Sequence, residues 1–294
     1  MATFRAMNTD VAVLAAGVDE PGVTDAVARI FADAEARFSR FRDDSELARL
    51  NRAEGPIVVS APMFQALVAA RRYVELTGGI FDPAIGGALV TLGYDRSFAP
   101  GALDRDTDAL PAPPARFLDL HLDPTRSEVT RPANVVVDLG GMIKGRTVDE
   151  AAACLPRTGA IDAGGDAVLR GGGRDGWPVE IEDPRDATRT IGRLRVRDRA
   201  VATSAANRRR WQVAGAPRHH LVDPRTQRSA ATDLLSVTIV APTAELADVL
   251  AKTVFVLGAD AGREFLASWP EAGAVLVCAM GAPIVCGLVD LVTS

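Results

Sequence analysis

Apolar side chains at Val23, Val27, Ile30, Phe31 and Ala34 fall three and four residues apart, the spacing of one helix face, and predict a helix near residues 21–37. Ahead of it, the run Val11-Ala12-Val13-Leu14 predicts a strand near 7–16. A second helix is expected over 61–77, with Ser60 as N-cap and Pro62 in its first turn. Residues 99–114, rich in proline, alanine and aspartate, read as a surface loop. Strands then dominate 115–137, ending in the β-branched run Val135-Val136-Val137, and a helix near 144–155 stops before Pro156. Short strands separated by glycine and proline fill 159–240. A helix near 243–257 opens at Thr243 and stops at Gly258, a short helix covers 260–269, and two strands, 274–280 and 284–289, meet at Gly281-Ala282-Pro283. Strands and helices do not alternate regularly, which argues against a doubly wound parallel sheet. The expected fold is α+β, a largely antiparallel sheet with flanking helices.

Length and composition narrow the function classes. A chain of 294 residues with 48% apolar residues buries a substantial core, as one large domain over 1–294 or two intimate halves. A net charge of −5 with no basic stripe argues against nucleic acid as a partner. The cluster Arg208-Arg209-Arg210 reads as a solvated face or, beside Trp211 and near His219 and His220, as part of a phosphate path. Three cysteines, Cys154, Cys278 and Cys286, do not make a disulfide framework, and their apolar neighbours suggest small buried hydrophobes. No basic segment precedes a long apolar stretch, and no apolar run has transmembrane length, so no membrane anchor and a cytoplasmic location are expected.

Candidate chemistry gathers at a few places. Val137-Asp138-Leu139-Gly140-Gly141-Met142-Ile143-Lys144-Gly145 reads as strand, glycine turn and helix, with Lys144 adding a cation to a helix start already suited to anions. Gly171-Gly172-Gly173-Arg174-Asp175-Gly176 matches G-x-G-x-x-G, yet Trp177-Pro178-Val179-Glu180-Ile181 follows it as a strand. A hairpin turn, not a dinucleotide fingerprint, is therefore expected there. Gly164-Gly165-Asp166 suggests a strand bulge or close backbone approach. His220, ahead of the rigid Asp223-Pro224-Arg225-Thr226 turn, is a side chain that accepts a proton near neutral pH. Asp248 and Lys252, four apart on a predicted helix, share a face.

These segments have a common likeness. Asp138-Leu139-Gly140-Gly141-Met142-Ile143-Lys144-Gly145 resembles the DLGG-x-x-KG signature of the ApbE family, the FAD:protein FMN transferases. Similar segments recur in that family's order: Met7-Asn8-Thr9, Phe38-Ser39-Arg40-Phe41, Ser45 to Asn51, Gly79-Ile80-Phe81-Asp82-Pro83 with Leu92-Gly93-Tyr94, then Ala163 to Asp166, Ala202-Thr203-Ser204, His220 to Thr226, and Ala247 to Ala251 ahead of Phe255-Val256-Leu257-Gly258. The resemblance implies an ApbE-like α+β fold. It implies catalysis by His220 and Asp248, with His220 rather than His219 at the matching spacing of H-x-x-D-P-x-T-G. It implies a flavin pocket lined by Met7, Phe41, Ile80, Phe81, Asp82, Asp166 and Leu221, and a diphosphate faced by Lys144. It also implies a magnesium ion held by Asp248, a threonine four residues on and the carbonyl of Gly141. Here that threonine is Lys252, which offers no oxygen, while Thr253 is turned about 100° away on the helix. A simple Asp–Lys pair and an ammonium that replaces the metal's charge are the two readings. Asn8 and Gln227 stand where the family has glycine, Phe41 where tyrosine is common, and Ala205 where glycine is usual.

The expected function is transfer of FMN from FAD to a threonine or serine hydroxyl of an acceptor protein, with release of AMP. Two alternatives are hydrolysis of FAD to FMN and AMP, and a flavin-binding protein without transferase activity.

Overall fold

The computed structural model describes residues 1–17, 19–99, 104 and 113–293. Most of the surface loop expected over 99–114 therefore lies outside the described residues. The chain divides into two compact units, the first formed by Met1–Ala32, Lys144–Asn207 and Thr232–Ser294, the second by Asp33–Ile143 and Arg208–Ala231.

The first unit is built on an eight-stranded sheet. Its strands run in the order Ala2–Ala6, Thr9–Ala15, Gly159–Ala163, Asp166–Arg170, Arg199–Ala205, Leu234–Ala241, Gly273–Cys278 and Ile284–Gly287. Every neighbouring pair is antiparallel, as expected for this α+β chain. The strand expected near 7–16 is Thr9–Ala15, the second arm of a hairpin that pairs Ala6↔Thr9 across Met7 and Asn8. Both turn residues take positive φ, 49° and 57°, as a tight two-residue hairpin turn requires. Asparagine tolerates that conformation better than most residues, which explains how Asn8 serves where the resemblance leads one to expect glycine. Gly164 and Gly165, with φ of 63° and 96°, form the next such turn, pairing Ala163↔Asp166. They are a hairpin turn rather than a bulge. The approach is close: a Cβ on Gly164 would collide with the Thr9 hydroxyl.

Val11, Val13, Phe31, Val148 and Ile161 close a core between this sheet and the helices Glu20–Phe38 and Ile143–Ala151. The helix Ala244–Leu257 packs on strands Arg199–Ala205 and Leu234–Ala241. It is buried nearly all round, Ala247, Val249, Leu250, Ala251, Val254 and Phe255 all being inaccessible. Thr243 caps it by accepting from the Leu246 amide at 3.2 Å, and Gly258 ends it at φ 84°. Asp149 caps it a second time, accepting from the amides of Ala244 and Glu245 at 2.7 and 2.8 Å. The G-x-G-x-x-G segment connects Asp166–Arg170 to Trp177–Asp183, a strand of a separate three-stranded sheet with Asp186–Val196 and Leu291–Thr293. It opens no helix, but it is a crossover between sheets and not the expected hairpin. The three cysteines are free and half-buried rather than buried.

The second unit carries helices Glu46–Arg52, Ala61–Leu76 and Gly86–Thr91 with small sheets, among them Ile57–Val58, Glu128–Thr130 and His121–Asp123. Ser60 caps the second of these helices as expected, and Glu46 accepts from the Ser60 hydroxyl at 2.7 Å. Val135-Val136-Val137 is not a strand. Val135, Val137 and Leu139 are fully buried, but the backbone bonds to irregular partners. The amide of Val137 donates to the Asn51 side chain, which donates back to its carbonyl, both at 2.8 Å; Asp138 donates to the Pro83 carbonyl, and Gly86 to that of Val136. A β-branched run thus meets the need for backbone satisfaction without a neighbouring strand.

Gly145 sets the approach of two helices in the first unit. A Cβ there would overlap the Ala244 carbonyl and lie 2.8 Å from the Glu245 amide nitrogen. Gly145→Ala gains about 1 kcal/mol in helix propensity, yet backbone cannot yield as a flexible side chain does. The expected outcome is a net loss of about 2 kcal/mol, read as a lower urea midpoint. An unchanged or higher midpoint would show the helices are free to separate.

Candidate active site

In the first unit, two carboxylates lie where the Asp248 helix crosses the sheet. Asp166, at the start of its strand, and Asp248, one turn into its helix, are each only 2% exposed. Lys144, in the first turn of its helix, pairs with Asp166 and donates to the Ala163 carbonyl at 2.7 Å. Lys252 pairs with Oδ1 of Asp248, the i,i+4 contact that their spacing predicts. The other oxygen of Asp248 is buried without a hydrogen-bond partner among the described residues. Burial pushes the Asp248 carboxyl up to about 6, the charge of Asp166 adding to the rise and Lys252 and Lys144 opposing it. Arg146 pairs with Glu245 at 3.3 Å beside this cluster.

The cluster does not suit a divalent ion. Magnesium demands near-octahedral hard oxygen ligands, whereas Asp248 already shares one oxygen with an ammonium. A divalent charge placed roughly 4 Å from that ammonium would be opposed by about 8 kcal/mol at an effective dielectric of 20. Thr253 does not compensate: it is fully buried, and its hydroxyl donates to the Val249 carbonyl at 2.9 Å. Among the described residues no three His, Cys, Asp or Glu side chains converge as a ligand set. Gly141 belongs to the second unit, in the turn before the Lys144 helix. Met7, also in the first unit, is half-buried at its hairpin turn and packs against the core around Val11 and Phe31.

In the second unit, His219 and His220 precede a turn organised by Asp223. The buried Asp223 carboxylate accepts from the Arg225 amide at 2.9 Å and from its guanidinium at 2.9 and 2.8 Å. The Asp223 carbonyl accepts from the Gln227 amide at 2.8 Å. Gln227 takes the left-handed φ of 57° that glycine would adopt freely, and its side chain offsets the strain by donating to the Pro224 carbonyl at 2.8 Å. Leu221 is buried in this segment and His220 is half-buried. His219 is tied to Ser229, its amide donating to the hydroxyl at 3.0 Å, with Nε2 3.2 Å from the Ala230 carbonyl; burial lowers its pKa.

Phe41 lies 5.4 Å from the Tyr94 ring, and Tyr94 5.4 Å from Trp211. Sequence reasoning did not single out Arg40, which binds this group together. Its guanidinium sits 4.1 Å over Phe41 and 4.7 Å over Tyr94, donates to the Tyr94 carbonyl and pairs with Asp138 at 2.5 Å. The available signal was its place in Phe38-Ser39-Arg40-Phe41. Of the arginine cluster, Arg208 and Arg210 are exposed, while Arg209 donates to the Tyr94 hydroxyl at 3.1 Å. Ile80 is half-buried and Phe81 is buried against Tyr73. Asp82 accepts from the amides of Ala84 and Phe117, at 2.8 and 3.1 Å, and so staples two loop segments; burial raises its carboxyl.

The chain and its fold are similar to those of known proteins. The chain is 32% identical over 271 residues to a Treponema pallidum FAD:protein FMN transferase, covering 83% of this chain and 73% of that one. A Vibrio cholerae protein of the same name is 28% identical, over 83% of this chain and 78% of its own. The crystal structure of the ApbE protein from Thermotoga maritima superposes with a TM-score of 0.86 at 25% identity, covering 97% and 96% of the two chains. The Vibrio cholerae flavin transferase ApbE shares the fold with a TM-score of 0.80 at 22% identity, covering 100% and 96%. Among the described residues no helix is long and apolar enough to cross a membrane. The ApbE family model matches residues 7–276, and the chain belongs to the ApbE family.

Proposed function

We propose that this protein is an FAD:protein FMN transferase. The observation that carries this reading is the family match across residues 7–276, which takes in every residue given a role here. FAD is the substrate. A threonine or serine hydroxyl of an acceptor protein attacks the phosphorus that carries the riboflavin. A new phosphorus–oxygen ester bond forms, the anhydride bond to the adenylate breaks, and AMP leaves with the bonding electron pair. The hydroxyl proton goes to His220, directly or by relay. Little covalent work falls to the protein, so positioning and charge stabilisation dominate. Met7, Phe41, Ile80, Phe81, Asp82 and Leu221 bound the flavin, Lys144 and Asp166 fix the charge near the diphosphate, and Asp248 holds Lys252.

Incubation with FAD and candidate acceptors, read by mass spectrometry, tests the reading. An acceptor heavier by FMN, with AMP released, is expected. AMP and free FMN without labelled acceptor would make the protein a hydrolase, and intact FAD in every sample would make it a binder.

His220→Ala is expected to lower transfer by about 10²–10⁴-fold while FAD affinity, measured by fluorescence titration, changes little. Equal small losses from His219→Ala and His220→Ala would remove His220 from the reaction.

His219 instead contributes to the dependence of stability on acid. Its pKa is lowered in the folded chain, so below the ordinary value of 6.5 the unfolded chain binds a proton that the folded one does not. Stability from this residue is thus full above that value and lost progressively as pH falls from it through the lower folded value. His219→Gln should flatten the decline in urea midpoint between neutral and mildly acid pH. An unaltered slope would show that His219 titrates alike in both states.

A further inference from the structure

We infer that in this chain the ammonium of Lys252, together with that of Lys144, does the electrostatic work of a divalent cation at the diphosphate. This inference rests on the flavin-transfer reading above. Asp166 and Asp248 bring two negative charges into the layer between sheet and helix, and Lys144 and Lys252 bring two positive ones. The four groups are neutral together without a metal. With a threonine at position 252, one buried carboxylate would be uncompensated, the condition that draws in a divalent ion. With lysine there, that demand is met from one turn along the same helix.

Both ammoniums have protons to spare. Each carries three donors, of which Asp248 engages one on Lys252 and the Ala163 carbonyl one on Lys144, which also pairs ionically with Asp166. Lys252 is also far more accessible than the Asp248 it pairs with, 21% against 2% for the side chains. The remaining donors suit the oxygens of a dinucleotide diphosphate, whose charge enters a cluster that is otherwise balanced.

The test measures FAD affinity by flavin fluorescence in excess magnesium and in chelator, and manganese binding to the FAD-free protein by electron paramagnetic resonance. Wild type should bind FAD with affinities within about threefold in the two conditions and should bind no manganese. Lys252→Thr should bind manganese, and its FAD affinity should drop by about tenfold or more in chelator and recover with magnesium. Lys252→Met, with neither charge nor oxygen, should bind FAD weakly in both. Thermal melts report folding, and the wild-type comparison decides even if a variant does not fold. A tenfold or greater loss of wild-type affinity in chelator, or stoichiometric manganese on the wild type, overturns charge replacement and leaves the flavin reading standing. No FAD binding by the wild type in either condition overturns both.

Discussion

A carboxylate taken out of water must be given a counter-charge, and in the first unit this requirement falls on Asp166 and Asp248 at once. Each is answered by a lysine from a nearby element: Lys144 reaches the strand that follows the Gly164-Gly165 turn, and Lys252 reaches back one helical turn. The surrounding structure is arranged to keep these pairs in place. The glycine turn places Asp166 at the head of its strand, Gly145 lets the Lys144 helix lie against the backbone of Ala244, and Asp149 and Thr243 both cap the Asp248 helix. Remove the counter-charges and the burial of both carboxylates becomes prohibitive. Replace the glycines and the elements carrying the pairs must shift apart to relieve the clash.

Two turns accommodate a side chain in backbone that glycine would adopt more freely. Asn8 and Gln227 both occupy left-handed backbone at positions where glycine is expected. Asn8 is helped by intrinsic tolerance and by a hydrogen bond from Arg5 at 3.3 Å, Gln227 by its bond to Pro224. A side chain that bonds locally offsets part of the cost of a positive φ. The substitution at Lys252 is different in kind, because it changes the charge and donor type at a site instead of the route of the chain.

Helices with a cap and a steady apolar period were legible in the sequence. Ser60 and Thr243 mark helix starts, Gly258 marks a stop, and the helix predicted near 21–37 is found at Glu20–Phe38. Hairpin turns were harder to read, since Met7-Asn8 and Gly164-Gly165 look like strand interior until register is known. Val135-Val136-Val137 misled because β-branching reports burial as readily as it reports sheet. Its hydrogen-bond partners, Asn51 and Pro83, lie many residues earlier. At the candidate site, the spacing of Asp248 and Lys252 was decisive, whereas the Lys144–Asp166 pair and the role of Arg40 depend on tertiary placement that no local pattern reveals.

An ion pair contained in one helix also changes what folding depends on. A buried aspartate compensated by a metal makes part of the stability conditional on free ion concentration, since only the folded chain presents the site. Under the proposed charge replacement Lys252 removes that condition, because its charge arrives with the chain and its place one turn from Asp248 is set by the helix itself. The arrangement has a cost: a long side chain must be ordered, and an ammonium offers hydrogen-bond donors but no vacant coordination position. Under the proposed charge replacement, the Asp248–Lys252 pair gives up the Lewis acidity of a metal for a charge that is always present. It suits a reaction in which stabilising a diphosphate matters more than activating a water.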